Sequence, residues 1–222
     1  VVLTVHRDGE ENALEIETEI TDVELPSVFE EMLDDNTGYI RITEFKGNTP
    51  ENYLDAFNSL KERGMDKLVI DLRDNPGGLL TSVCEILNHV LPEGLIVYTE
   101  DKYGNREEET SDGEDPLEIP LAVLVNENSA SASEIFAGAV QDYGIGKIVG
   151  TTTYGKGVVQ SIRQLSDGSA VKLTVSNYYT PNGNSINKVG IQPDVEVKLD
   201  SELLNQDEIS HDEDNQLQAA LD

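Results

Sequence analysis

Tryptophan is absent from this 222-residue chain, aromatic residues make up 5% of it, and its single cysteine is Cys84. A lone thiol excludes an internal disulfide, so thiols say nothing about compartment. Basic residues are scarce as well: 15 Lys and Arg stand against 44 Asp and Glu, a formal net charge of -29. Nucleic acid and anionic membrane surfaces need a basic footprint, so neither is expected as a partner. No apolar run approaches the ~18 residues of a membrane span. The opening VVLTVHRDG has the pattern of a strand and turn, not the charged head and apolar centre of a signal peptide. Nor does either acidic stretch, 100–118 or 201–222, alternate oxygen ligands around a glycine as a full calcium loop does.

What remains is a mixed globular profile. A chain this long buries roughly 70% of its unfolded surface, and with so few aromatics its core must be built from Val, Ile, Leu and Ala. The acid is uneven: residues 201–222 hold seven Asp or Glu and no Lys or Arg, and the stretch from Glu100 to Glu118, read as a loop, is nearly as acidic. Both read as solvated surface.

VVLTV, a turn at RDGEEN, and ALEIETEI read as a hairpin. GYIRITEF reads as a strand. A helix is expected from Pro50 to Arg63, with Pro50 in the first turn, one apolar stripe through Tyr53, Leu54, Phe57 and Leu60, and Gly64 at the end. KLVIDLR (67–73) has the continuous apolar centre of a strand covered on both faces, followed by Asn-Pro-Gly-Gly (75–78) and a helix carrying Cys84. PLAVLV (120–125) and KIVGT (147–151) repeat the plan around a serine-rich helix. Alternation of strand and helix implies parallel pairing with right-handed crossovers, an α/β fold. GVVQSIRQL and SAVKLTVSNYYT, on either side of Ser166-Asp167-Gly168, add a late hairpin.

Ligands of open parallel sheets bind beyond the carboxyl ends of the strands. Those ends lead here into residues 75–78, 126–131 and 151–156. A helix of about 13 residues and a returning strand of about seven span similar lengths, which brings Lys156 back beside Ser131. A serine at a helix N-terminus meets free N–H groups and a dipole that favour developing negative charge. The N–H of Ala132 and that of Gly77 are candidate oxyanion donors. Lysine serves as a base if burial leaves its amine neutral. Gln160, four residues on in an extended segment, shares its face and could orient it. Read alone, each feature has an ordinary explanation: close helix packing for the serines, a plain turn for the glycines, a solvated loop for the lysine.

Together, LVIDLRDNPGG, NENSASASEIFAGAVQDYG and VGTTTYGKGVVQ, with the later YYTPNG and GIQPDVEV, resemble the carboxyl-terminal processing (tail-specific) proteases of peptidase family S41. The resemblance implies a core similar to the ClpP/crotonase fold, with added hairpins, over 38–200. Carried over by residue, it makes Ser131 the nucleophile, Lys156 the general base, Gln160 its positioning partner, and Gly77 and Ala132 the oxyanion donors, with Gly78 as the adjacent alternative. It also implies proteins with apolar C-termini as substrates, no cofactor, and an extracytoplasmic setting. Residues 1–37 then read as the end of a PDZ-like strand pair plus a linker, in a fragment or PDZ-deleted form. The acidic 201–222 reads as a tail or helical arm that could support a homodimer.

Two rivals stand beside this reading. A Ser-His-Asp hydrolase would need His6, His89 or His211, and the chain has no G-x-S-x-G elbow. A non-catalytic ligand- or peptide-binding scaffold on the same fold has no need of the Ser131, Lys156 and Gln160 set.

Overall fold

The computed structural model describes all residues except 8, 10, 11, 22–24, 35, 205, 207 and 208. Its centre is a six-stranded sheet. Four parallel strands, β4 (Thr37–Ile42), β5 (Lys67–Asp71), β8 (Leu121–Val125) and β9 (Gly146–Gly150), follow one another across it. The short β12 (Val195–Glu196) pairs parallel to β9 at one edge, and β3 (Val28–Met32) pairs antiparallel to β4 at the other. Three helices cover one face: α1 (Thr49–Glu62), α2 (Leu80–Asn88) and α3 (Ala132–Tyr143).

Strand alternation explains why these strands read as continuous apolar runs. Leu68 and Ile70 of β5 face the helices, in a core with Leu60, Leu87 and Phe136, while Val69 faces the opposite side. There it meets Tyr39, Leu124 and Leu217, the last from α4 (Asn215–Leu221). A second, antiparallel sheet runs β10 (Val158–Gln164), β11 (Ala170–Tyr179), β6 (Gly94–Asp101), β7 (Arg106–Ser111). It adds Ile96, Val97 and Tyr178 to the helix-side core. The N-terminal hairpin forms as expected from β1 (Val2–Val5) and β2 (Leu14–Glu17).

Three expectations change. The boundary placed at residue 38 falls inside a hairpin, because β3 pairs with β4 residue by residue from Val28↔Ile42 to Met32↔Gly38. The acidic stretch read as a loop contains β7; its REEETS sequence lacks apolar alternation, yet on an edge strand charge discourages further pairing. Part of the acidic tail is built into the body: α4 packs on the sheet, with Leu217 fully buried.

An ion cluster anchors α4. Arg73 Nη2 lies 2.6 Å from Asp71 and 2.8 Å from Asp214, Arg73 Nη1 donates to Gln216 Oε1, and Tyr39 donates its hydroxyl to Asp71. Asp214 also caps α4, accepting from the Gln216 and Leu217 N–H groups. Burial works against its charge, but the Arg73 guanidinium and the two N–H groups prevail and hold its carboxyl below the usual range. A carboxyl depressed in the folded state stabilises above its unfolded value of about 3.9 and loses that contribution as pH falls through the folded value. Acidification should therefore loosen α4. Asp214→Ala should do so at neutral pH, since breaking a buried pair costs about 3–5 kcal/mol. Hydrogen exchange at residues 215–221 reads both; unchanged protection in the variant would contradict the anchoring.

Candidate active site

The carboxyl ends of β5, β8 and β9 meet on one edge of the sheet, as the crossover argument requires, and hydrogen bonds stitch their loops together. Ala130 N–H donates to Asn75 O, Ser129 Oγ donates to Leu72 O, and Tyr154 N–H donates to Ser129 O. Three serines stand here in alternation, and two are engaged: Ser129 as above, while Ser133 Oγ donates to Asn75 O at 3.0 Å. Both are buried, whereas Ser131 is partly exposed and its hydroxyl donates to no acceptor among the described residues.

Ser131 is the residue before α3, with φ 57° and ψ −112°. A positive φ at a residue with a Cβ costs about 1–3 kcal/mol and persists only where its surroundings impose it. The imposing contact is Gly77: a Cβ there would lie 2.7 Å from Ala130 O, 2.8 Å from Ser131 Cβ and 2.9 Å from Ala132 N. Gly77 itself has φ 102°, so two conditions require glycine.

Among the candidate oxyanion donors the structure makes a distinction. The Ala132 N–H has no carbonyl partner among the described residues, as expected in a first helical turn. The Gly77 N–H, however, donates to Asn75 Oδ1 at 2.8 Å. Of the two adjacent glycines, Gly78 is the one whose N–H carries no bond among the described residues. Gly78 lies against the Phe45 backbone, with Gly77 O and Leu79 N–H paired to Phe45.

The residue that joins serine and lysine loops was not singled out from sequence. Glu134, in the first turn of α3, is fully buried. Its Oε2 accepts from Ser131 N–H and Lys156 N–H, each at 2.8 Å, and its Oε1 accepts from Thr153 Oγ1 and Gly155 N–H, each at 2.6 Å. The Ser131 and Lys156 backbone nitrogens therefore lie no farther apart than twice 2.8 Å. The available signal was the spacing itself, Ser-x-x-Glu, in which the fourth residue reaches back to the N-cap N–H.

Lys156 is exposed, not buried as the base argument expects, although Gly155 and Gly157 on either side of it are buried against residues 186–190. Its amine and the Gln160 amide have no hydrogen-bond partner among the described residues. Gln160 lies on β10 with Val158 and Ile162 on the same face, opposite Thr174. The histidines are elsewhere: His89 ends α2, 3.9 Å from Asp115, and His211 lies 3.9 Å from Glu31. Burial and the neighbouring Glu109 and Glu85 push the Cys84 thiol up to about 12, which leaves no thiolate nucleophile at neutral pH.

The structure thus sets a strained serine at a helix N-terminus beside a tethered lysine loop, on the carboxyl edge of a parallel sheet. Residues 36–197 match peptidase family S41, and the chain belongs to it. It is 45% identical over 187 residues to a carboxyl-terminal-processing protease of Synechocystis, covering 84% of this chain and 43% of that protein. Its identity to carboxy-terminal processing protease CtpA of Bacillus subtilis is 37% over 200 residues, 90% of this chain and 43% of the relative. Among solved structures, a photosystem II D1 C-terminal processing protease superposes with a TM-score of 0.73 at 35% identity, over 84% of this chain and 52% of that one. The chain thus spans less than half the length of these curated relatives. Among the described residues no helix is long and apolar enough to cross a membrane.

Proposed function

We propose that this chain is the catalytic core of a C-terminal processing serine endopeptidase. Ser131 acts as nucleophile, Lys156 as general base and Gln160 as the group that orients the lysine amine. The observation that carries the reading is the shared Glu134 oxygen, which fixes the backbones of Ser131 and Lys156 side by side, next to a serine hydroxyl that donates to no acceptor among the described residues.

Ser131 Oγ attacks the scissile carbonyl carbon as its proton passes to the neutral Lys156 amine. The oxyanion is held by the N–H groups of Ala132 and Gly78. Collapse breaks the C–N bond; the departing amine takes the proton from Lys156, and water then hydrolyses the acyl-enzyme with the same lysine as base. A substrate laid over the open loop supplies the desolvation that the free chain leaves out. Proteins with apolar C-termini and an extracytoplasmic setting follow from the family likeness.

Digestion of casein, with mass mapping of the products, tests this. Cleavage should be indifferent to chelators and survive replacement of His6, His89 and His211 together. A folded triple variant without turnover would overturn the lysine-base mechanism. No cleavage by any form would favour the non-catalytic scaffold.

A further inference from the structure

Charge along this acidic chain has one exception. Residues 143–193 carry five basic residues, Lys147, Lys156, Arg163, Lys172 and Lys188, and a single acid, Asp167, although the whole chain holds 44 acids. That interval contains the candidate base and the whole β10–β11 ribbon. Arg163, Lys172 and Lys188 form no salt bridge among the described residues, in contrast to Arg63, Arg73 and Arg106.

The ribbon is itself unsupported. β11 joins the rest of its sheet only through Ser176–Tyr179, paired with Tyr98–Asp101 of β6. Beyond that point nearly every residue from Gln160 to Val175 is exposed, including Ile162 at 67% and Leu173 at 48%. Two strands alone are marginally stable in water. β10 is also an edge strand, paired on one side with β11 and with no strand on the other. Its unpaired N–H and C=O groups begin two residues after Lys156, a template for an extended peptide.

The charges sit where such a peptide would meet them. Lys172 pairs across the ribbon with Ile162, on the face that also presents Gln160; Arg163 lies on the other face, opposite Val171. Lys188 donates its N–H to Gly155 O at 2.8 Å and so stands directly behind the Lys156 loop. The acids closest to the ribbon's root are Glu100 and Asp101 of β6, opposite Asn177 and Ser176. Asp167 is at its tip, accepting from Ser169.

We propose that the open edge of β10 receives an extended acidic segment of the substrate, whose carboxylates are read by Arg163, Lys172 and Lys188. The rest of the surface repels such a segment, so the long-range field steers it toward this ribbon and the adjoining site. The proposal names the substrate class for the peptidase reading and rests on it for any consequence on cleavage, but binding can be measured without chemistry.

The experiment uses the Ser131→Ala chain and fluorescein-labelled unfolded peptides in which alternate positions are Glu, Gln or Lys, followed by anisotropy. The Glu peptide should bind about tenfold more tightly than the Gln peptide at low salt, as expected from a few exposed ion pairs, and the advantage should fade at high salt. Arg163→Glu with Lys172→Glu should reverse the preference in favour of the Lys peptide, and the milder Arg163→Gln with Lys172→Gln should abolish it, which guards against misfolding of the first variant. A Glu peptide N-methylated at alternate residues, which keeps its charges and loses N–H donors, should bind more weakly. Equal affinity for Glu and Gln peptides, or a preference untouched by both ribbon variants, would overturn the proposal; full binding of the N-methylated peptide would overturn the strand pairing. Failure of the wild type to cut casein would instead count against the peptidase reading alone.

Discussion

Ser131→Ala should abolish peptide cleavage, by about 10⁴-fold or more, while leaving the thermal transition nearly unchanged. Both halves follow from the geometry. The Ser131 hydroxyl donates to no acceptor among the described residues, and the Glu134 N–H that caps onto Ser131 also bonds Ser131 O, so removing the hydroxyl strands no buried donor or acceptor. Alanine inherits the same positive φ, imposed by Gly77, and the same N–H bond to Glu134. The neighbouring serines should behave in the opposite way. Ser129→Ala removes a buried hydroxyl that donates to Leu72 O and accepts from Asn126 N–H, and Ser133→Ala removes the bond to Asn75 O. Each should lower stability by about 1 kcal/mol or somewhat more without deleting a reacting atom. Side-by-side casein assays and melting curves distinguish the three. Turnover retained by a folded Ser131→Ala chain would remove the nucleophile assignment.

The parallel strands were legible because Leu68–Ile70, Leu121–Val125 and Ile148–Val149 are apolar on both faces and end at turn residues. Once these strands are parallel, their loops must share an edge, and the approach of Ser131 to the Lys156 loop follows from chain length. The edge strands β3 and β7 were not legible, since VFEEM and REEETS hide their extended backbone under charge. The choice between Gly77 and Gly78 as donor was closed to sequence for a different reason. It depends on the Asn75 side chain curling onto its own loop, donating to Ile42 O while accepting from Gly77 N–H. Whether Lys156 is covered depends on what lies above the loop, which periodicity does not encode. Glu134 was in view as a spacing but not as a fully buried carboxylate, because its burial is produced by the Thr153–Lys156 loop folding back over α3.

Glu134 therefore carries the second large expectation. Each of its two oxygens accepts two donors, and all four come from the segments that build the site. Glu134→Ala would leave those donors unanswered in a dry interior at roughly 1–3 kcal/mol each, about 4 kcal/mol or more in sum, a large share of the ~5–15 kcal/mol that holds a domain folded. Glu134→Gln is the sharper test, because it preserves volume. An amide retains one accepting oxygen and turns an NH₂ toward two donors. If it replaces Oε1, Thr153 can rotate its hydroxyl to accept, but Gly155 N–H cannot adapt; if it replaces Oε2, both the Ser131 and Lys156 N–H groups face another donor. The Gln variant should fold, melt several degrees lower, and lose most of its kcat with KM less affected, because the serine and lysine loops lose their common anchor while the substrate-binding surface remains. A variant that is merely less stable, with full kcat at a temperature where it is folded, would show that Glu134 supports the fold and plays no part in aligning the site.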